Sequence, residues 1–203
     1  MPHPPATGAL IHYHEIALKG KNRSYFLKQL ADNLRTASQD LDVGRLRRPA
    51  GRLFLEMHED TSWEPLRKRL SRVFGIANFA AAFRVPPDLE LIEKRIEAEV
   101  SGRSFASFAV AARRAFKSFP QTSQEINQVV GTAIKDASGA KVDLSNPELT
   151  VHIELLPDEA FFYFEKIQGP GGLPVGVSGT VVDRKSTRLN SSHRLRSRMP
   201  SSA

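Results

Sequence analysis

Residues 105–126 read Phe105-Ala106-Ser107-Phe108-Ala109-Val110-Ala111, then Ala112-Arg113-Arg114-Ala115-Phe116-Lys117-Ser118-Phe119-Pro120-Gln121, then Thr122-Ser123-Gln124-Glu125-Ile126. The first part is apolar and alternating, which predicts a strand over Phe105–Ala111. The last part opens a helix, because Thr122 followed three residues later by Glu125 is the pattern of a capping box. Strand then helix makes this region α/β, and it leaves Arg113, Arg114 and Lys117 in the connection, beside the N–H groups of a helix start. Phosphates are commonly held in such a place. Phe116 and Phe119 lie among the cations and can either pack or stack on a base. By residue type alone, a solvated turn and a polyanion site fit this cluster about equally well.

Working outward, Ile126, Val130, Ile134 and Ala137 continue the helix, and strands are predicted over Leu149–Leu155 and Phe161–Ile167. Upstream, Pro86-Pro87-Asp88 breaks the pattern, and Leu89, Ile92, Ile96 and Val100 line one face of a helix ending near Gly102. The chain before that break divides differently. An extended segment from Ala9 to Ala17 leads to Lys19-Gly20-Lys21, after which Asn22 stands as a plausible N-cap for a helix carrying Phe26, Leu30, Leu34 and Leu41. Arg45–Arg48 and Arg52–Met57 flank Pro49-Ala50-Gly51 as a hairpin, and Thr61 with Glu64 reads as a second capping box before Trp63, Leu66, Leu70 and Val73. With Ile76–Val85 as a strand the order is β-α-β-β-α-β, the ferredoxin-like arrangement, although that strand could equally begin the next unit. The expected class is α+β. The expected organisation is a ferredoxin-like domain over 1–75, an α/β domain over 76–167, a Gly/Pro-rich linker over 168–182 and a disordered tail over 183–203.

Charge bounds the partners. The 203 residues carry a formal +7, but residues 183–203 account for +5 of it, so RNA binding by the folded body has to rest on local patches. Lys19, Lys21 and Arg23 form a second, weaker basic cluster at another strand-to-helix junction; taken alone, an ordinary charged loop is the better reading. There is no cysteine, which excludes disulfides, thiolate zinc sites and cysteine nucleophiles within this chain. No leader or membrane-length apolar run stands out, so the expected setting is soluble and cytoplasmic, with no membrane partner.

No catalytic set emerges. His12 and His14, alternate residues of a strand with Glu15 next to them, could share a face, yet no third ligand follows at fixed spacing, and no metal is expected. Gly171 and Gly176 have the spacing of a phosphate loop, but Val177 stands where its lysine belongs. His152 and Glu154 alternate with Val151, Ile153 and Leu155 and are expected on the polar face of a half-buried strand.

Several motifs in order resemble one family. Glu15-Ile16-Ala17-Leu18-Lys19-Gly20-Lys21-Asn22-Arg23 looks like the N-terminal signature of the tRNA 4-thiouridine synthetases, also called tRNA sulfurtransferases. Arg113-Arg114 with Lys117-Ser118-Phe119-Pro120, then Thr122 to Asn127 and Lys141 to Pro147, is similar to that family's THUMP domain. Glu165-Lys166-Ile167 followed by Gly169 to Gly176 resembles its exit linker. The resemblance implies that the first two domains bind tRNA, with THUMP gripping the acceptor end and its 3′ CCA. Lys19, Lys21, Arg23, Arg113, Arg114 and Lys117 would then meet phosphates, and Phe116 and Phe119 would flank the single-stranded end.

In the resembled family these domains deliver uridine 8 to an adenylating domain that binds ATP on a PP-loop and carries a persulfide-forming cysteine, supplied by a cysteine desulfurase. The family is also linked to thiamine biosynthesis, and its members are expected to dimerise. Here Asp183-Arg184-Lys185-Ser186 stands where the PP-loop should continue. The expectation is therefore a part truncated before that domain, with a non-native tail. It would hold no cofactor and have no sulfurtransferase activity alone, with ATP belonging only to the missing domain. Two other functions fit the residues: a subunit of a split thiolation enzyme acting in trans, and a ferredoxin-like interaction or oligomerisation module that binds no RNA.

Overall fold

The computed structural model of the chain describes residues 7–115 and 118–177. β1 (Gly8–His12) leads through two short 3-10 turns, Glu15–Leu18 and Gly20–Asn22, into α1 (Arg23–Ser38). β2 (Val43–Arg47), β3 (Leu53–Met57), α2 (Trp63–Leu70) and β4 (Asn78–Val85) follow. The second half runs α3 (Leu89–Val100), β5 (Ser107–Arg114), α4 (Ser123–Ser138), β6 (Lys141–Val142), β7 (Leu149–Leu155), β8 (Ala160–Tyr163) and β9 (Ile167–Gln168). The class is α+β, and the first six elements have the ferredoxin-like order that the sequence pattern predicts.

The nine strands form one sheet, in the order β2-β3-β1-β4-β8-β7-β5-β6, with β9 also paired to β4. β4 joins the halves. Its first residues pair antiparallel with β1, Ala80 opposite Leu10, and its last three pair with β8, Phe83 opposite Phe162. The boundary expected after residue 75 thus falls just ahead of a strand that serves both units.

Alternation along β4 places Phe79 and Phe83 on one face of the sheet. Phe79 packs with Leu30, Leu34, Leu66 and Leu70 of α1 and α2, while Phe83 packs with Ile92, Ile96, Ile126 and Val130 of α3 and α4. All four helices therefore cover the same side. On the other side Leu10, Phe54, Ala80, Ala82, Phe161 and Tyr163 form a third buried cluster. The rings of Phe54 and Phe161 meet at 4.8 Å although their strands are three places apart, a separation of about 14 Å in a flat sheet. The sheet bends about β4, and the helix-free faces of the two halves close on each other.

Four local expectations change. β1 ends at His12 rather than Ala17: Ile16 is buried while Glu15, Ala17 and Leu18 are exposed, a one-in-four burial that suits a helical turn and not a strand. Asn22 makes no side-chain cap, because the chain enters α1 from a 3-10 turn with its backbone already helical. The capping box expected at Thr61 and Glu64 is absent: α2 begins after Ser62, and the Thr61 hydroxyl accepts from the His58 N–H and donates to the Asp42 carbonyl. β5 runs on to Arg114, three residues further than its apolar run.

The Gly/Pro-rich run does not hang free over its described residues. The N–H groups of Gly169 and Gly171 donate to the carbonyls of Ala77 and Ile76, and Gly75 N–H donates to Gly171 (2.8–3.0 Å). A Cβ at Gly169 would come within 2.4 Å of the Ile76 carbonyl, so only glycine allows this approach. Asn33 of α1 donates to the Val175 carbonyl, which ties the segment to the first unit. The expectations for residues 178–182 and for the tail fall outside the described residues.

Candidate nucleic-acid interface

Because β5 extends to Arg114, alternation sends Arg113 and Arg114 to opposite faces of the sheet. Arg114 lies on the helix side, where its Nη1 donates to the carbonyls of Phe119 (3.2 Å) and Gln121 (2.9 Å). Its position shapes the connection into α4. Phe119 is 8% exposed and belongs to the core beneath that connection, so its ring supports the loop and has no open face for a base. This corrects the expectation that Phe119 stacks on RNA. Phe116 and Lys117 lie outside the described residues. Arg113 is exposed and points to the helix-free side.

The helix start that follows is capped as the sequence predicts. Thr122 N–H donates to Glu125 Oε2 (2.6 Å) and Glu125 N–H donates to the Thr122 hydroxyl (3.2 Å). Hydrogen bonding from the Thr122 N–H, and then from its side chain, holds the Glu125 carboxyl below its ordinary value. A carboxylate at the helix start opposes an incoming anion, so attraction for phosphate at this end has to come from the arginines.

Lys19, Lys21 and Arg23 are exposed around the 3-10 turns that precede α1. Lys19 Nζ sits 5.7 Å from the centre of the Phe26 ring, and Arg23 donates to the Tyr13 hydroxyl (3.2 Å). Glu15, in the same segment, accepts from Gly172 N–H (3.0 Å) and joins the turn to the Gly/Pro-rich run.

The strand that precedes the first basic segment is tied to the neighbour of the strand that carries Arg113. β1 ends at His12, whose Nε2 bonds to Glu154 Oε1 (2.8 Å), and Glu154 on β7 is the register partner of Arg113 on β5. Arg52 of the β2–β3 hairpin donates to the other oxygen of Glu154 (2.5 Å), and the Tyr163 hydroxyl donates to Glu154 Oε1 (2.9 Å). Burial pushes the Glu154 carboxyl up, but the His12 hydrogen bond and charge, with the Arg52 guanidinium, outweigh it and hold it at about 2. Burial, the Glu154 charge and the bond to Glu154 raise Tyr163. Burial and the Lys166 charge lower His152, which stacks on Tyr163 at 4.9 Å. A second set, Arg47 and Arg84 on Glu159, spans the same closed faces.

His152 and Glu154 thus stand on the polar face of β7, but that face is closed by the first unit, and Glu154 is 5% exposed. Residue-type reasoning missed this junction. Its signal was the pairing of charges between halves: Arg47, Arg52 and Arg84 at or beside strands of the first unit, and Glu154 and Glu159 at or beside strands of the second. His14 is exposed and off β1, and among the described residues no three His, Cys, Asp or Glu side chains gather as a metal would require. Among them, too, no helix is long and apolar enough to cross a membrane.

Comparison with known proteins agrees with this architecture. The family model of the ThiI ferredoxin-like domain matches residues 9–80, and that of the THUMP domain matches residues 88–165. A probable tRNA sulfurtransferase of Moorella thermoacetica is 41% identical over 174 residues, covering 85% of this chain and 44% of the relative. The chain spans less than half the length of the curated relatives it matches. A protein of known structure from Pyrococcus horikoshii superposes with a TM-score of 0.73 at 32% identity, over 85% of this chain and 59% of that one. A 4-thiouridine synthetase solved with RNA and ATP superposes with a TM-score of 0.72 at 28% identity, over 86% of this chain and 45% of that one. The two matched domains, in this order, identify the chain as a ThiI ferredoxin-like domain joined to a THUMP domain, similar over this stretch to proteins named tRNA sulfurtransferases.

Proposed function

We propose that this chain binds tRNA at the acceptor end, including the 3′ CCA, as the substrate-recognising part of an enzyme that makes 4-thiouridine. One observation carries the reading. Lys19 to Arg23 follows β1 and Arg113 lies near the end of β5; the His12–Glu154 bond ties β1 to β7, the neighbour of β5, which supports one polyanion meeting both. RNA as the ligand is further supported by the THUMP domain and by the RNA held in the solved structure of the related synthetase. Phosphate contacts from Lys19, Lys21, Arg23 and Arg113 supply affinity, and a single-stranded end supplies bases that can be read. Arg114 shapes the loop and Lys117 completes its charge.

Adenylation and sulfur transfer are assigned to no residue of this chain, which has no cysteine to carry a persulfide. ATP, a cysteine desulfurase and dimerisation belong to the wider system in which recognition would operate. Filter binding of tRNA with and without its 3′ CCA, across a salt series, tests the proposal. The expected result is tighter binding of the intact tRNA and a linear fall of log affinity with log salt. Equal affinity for both RNAs would remove the acceptor end from the reading, and a flat salt dependence would remove phosphate contact.

A further inference from the structure

Glu154 has more cations around it than it can pair. Both of its oxygens are taken, one by His12 and Tyr163 and the other by Arg52. Arg113, its register partner on β5, is left without a carboxylate, and among the described residues it joins no ion pair. His152 lies two residues back along β7, on the same helix-free face as Glu154 and Arg113. Its ring stacks on Tyr163 of β8 at 4.9 Å, with 25° between the planes. Among the described residues no hydrogen bond engages either ring nitrogen, and neither is a buried atom without a partner, so both reach solvent at the rim of the closed junction.

Lys166, exposed just after β8, is the third member of this rim, close enough for its charge to act on the imidazole. The groups facing His152 come from every neighbouring element: Glu154 on β7, Tyr163 on β8, Arg113 on β5, His12 on β1 and Lys166 beyond β8. Burial, then Lys166, Arg113 and His12 oppose a charged imidazole, and Glu154 alone favours one. The rim therefore presents two cations beside a ring that stays neutral near pH 7 and has accessible nitrogens. An oxyanion with several acceptors fits that set, since guanidinium, ammonium and imidazole N–H can all donate to it.

We propose that Arg113, His152 and Lys166 form a site for one RNA phosphate at the rim of the domain junction, and that filling it protonates His152, so that RNA binding takes up a proton. The phosphate charge offsets the two repulsions that keep the proton off the ring. The imidazole then ionises at a higher pH in the complex than in the unbound chain. Affinity rises as pH falls through the bound value and levels off below the unbound one, because only between them does the complex hold the extra proton. The inference rests on the RNA-binding reading above and adds His152, Lys166 and a pH dependence to it.

The test measures the affinity of the full chain for tRNA with a 5′ hydroxyl, at fixed ionic strength, from about pH 8 to about pH 5.5. It compares wild type, His152→Gln and Lys166→Ala, and follows the His152 imidazole by NMR with and without the RNA. Wild-type affinity should rise about ten-fold over the range, the equivalent of one pKa unit, whereas His152→Gln should stay nearly constant. Lys166 is exposed, so its variant keeps the test independent of ring packing. Lys166→Ala should bind more weakly, lose about 1 from the salt slope, and raise the pH at which the unbound imidazole titrates. A purely structural lysine would not give that combination. An imidazole titration that RNA leaves unmoved, or one pH profile shared by wild type and His152→Gln, would overturn the site while leaving RNA binding intact. Inorganic phosphate raising the imidazole titration where RNA does not would overturn RNA as the source of the phosphate. No binding of tRNA by wild type at any pH would overturn both readings.

Discussion

Glu154 carries a charge into an environment that opposes it, and three partners from three strands or turns keep it there. His12, Arg52 and Tyr163 all bond to its carboxyl. The Glu154→Gln substitution would leave the partly buried Arg52 opposite a neutral amide, and losing one side of a buried pair typically costs about 3–5 kcal/mol. The Glu154→Gln chain should therefore unfold at lower urea than wild type by on the order of 3 kcal/mol. The pH dependence has the same origin. The folded carboxyl stays charged down to about 2 while its unfolded counterpart takes up a proton near 4.5, so between those values the unfolded state binds more protons and wild-type stability falls as pH falls. His152, lowered from 6.5 by burial, adds a decline in the same direction that begins as pH drops through its unfolded value. Urea titrations at several pH values should show both parts of the decline in wild type and a shallower lower part in Glu154→Gln, where the lowered carboxyls of Glu125 and Asp143 still contribute. An equal slope below pH 4.5 in both proteins would contradict this assignment.

At the scale of elements, the strand β5 and its exit divide labour between neighbouring arginines. Arg114 holds the loop through the carbonyls of Phe119 and Gln121, whereas Arg113 is exposed on the other face. Arg114→Ala is expected to lower stability by about 1–2 kcal/mol, since two charge-assisted bonds to backbone are lost. Arg113→Ala should change stability by less than about 0.5 kcal/mol and act on RNA affinity alone. Thermal melts of the two variants beside their tRNA affinities distinguish these roles; equal destabilisation by both would mean that the two side chains do the same work.

The same element marks what could be read from residue order. The helix cap at Thr122 and the hairpin at Gly51 were legible because their chemistry is local. The end of β5 was not, because polar Arg113 and Arg114 extend it through pairing with Glu154 and Leu155 on β7, forty-one residues away in the chain. The opposite facing of the two arginines follows from that one misplaced boundary.

Over the whole molecule, β4 makes the two domains one sheet, and the bend about it closes the helix-free faces around Glu154 and Glu159. Residue patterns announced both α+β units, since each has its own apolar periodicity. They were silent on the closure, which depends on charges from one unit meeting those of the other. Closure ties the end of β1 to β7, the neighbour of β5, and this link is the ground for proposing that the two basic segments share one ligand. The measurement that tests this most directly is the salt dependence of tRNA affinity for wild type, Lys21→Ala, Arg113→Ala and the double variant. Each single change should reduce the slope of log affinity against log salt by about 1, and the double by about 2, with all four proteins equally stable. A wild-type slope in the double variant, or loss in only one of the single variants, would contradict a shared grip on one RNA.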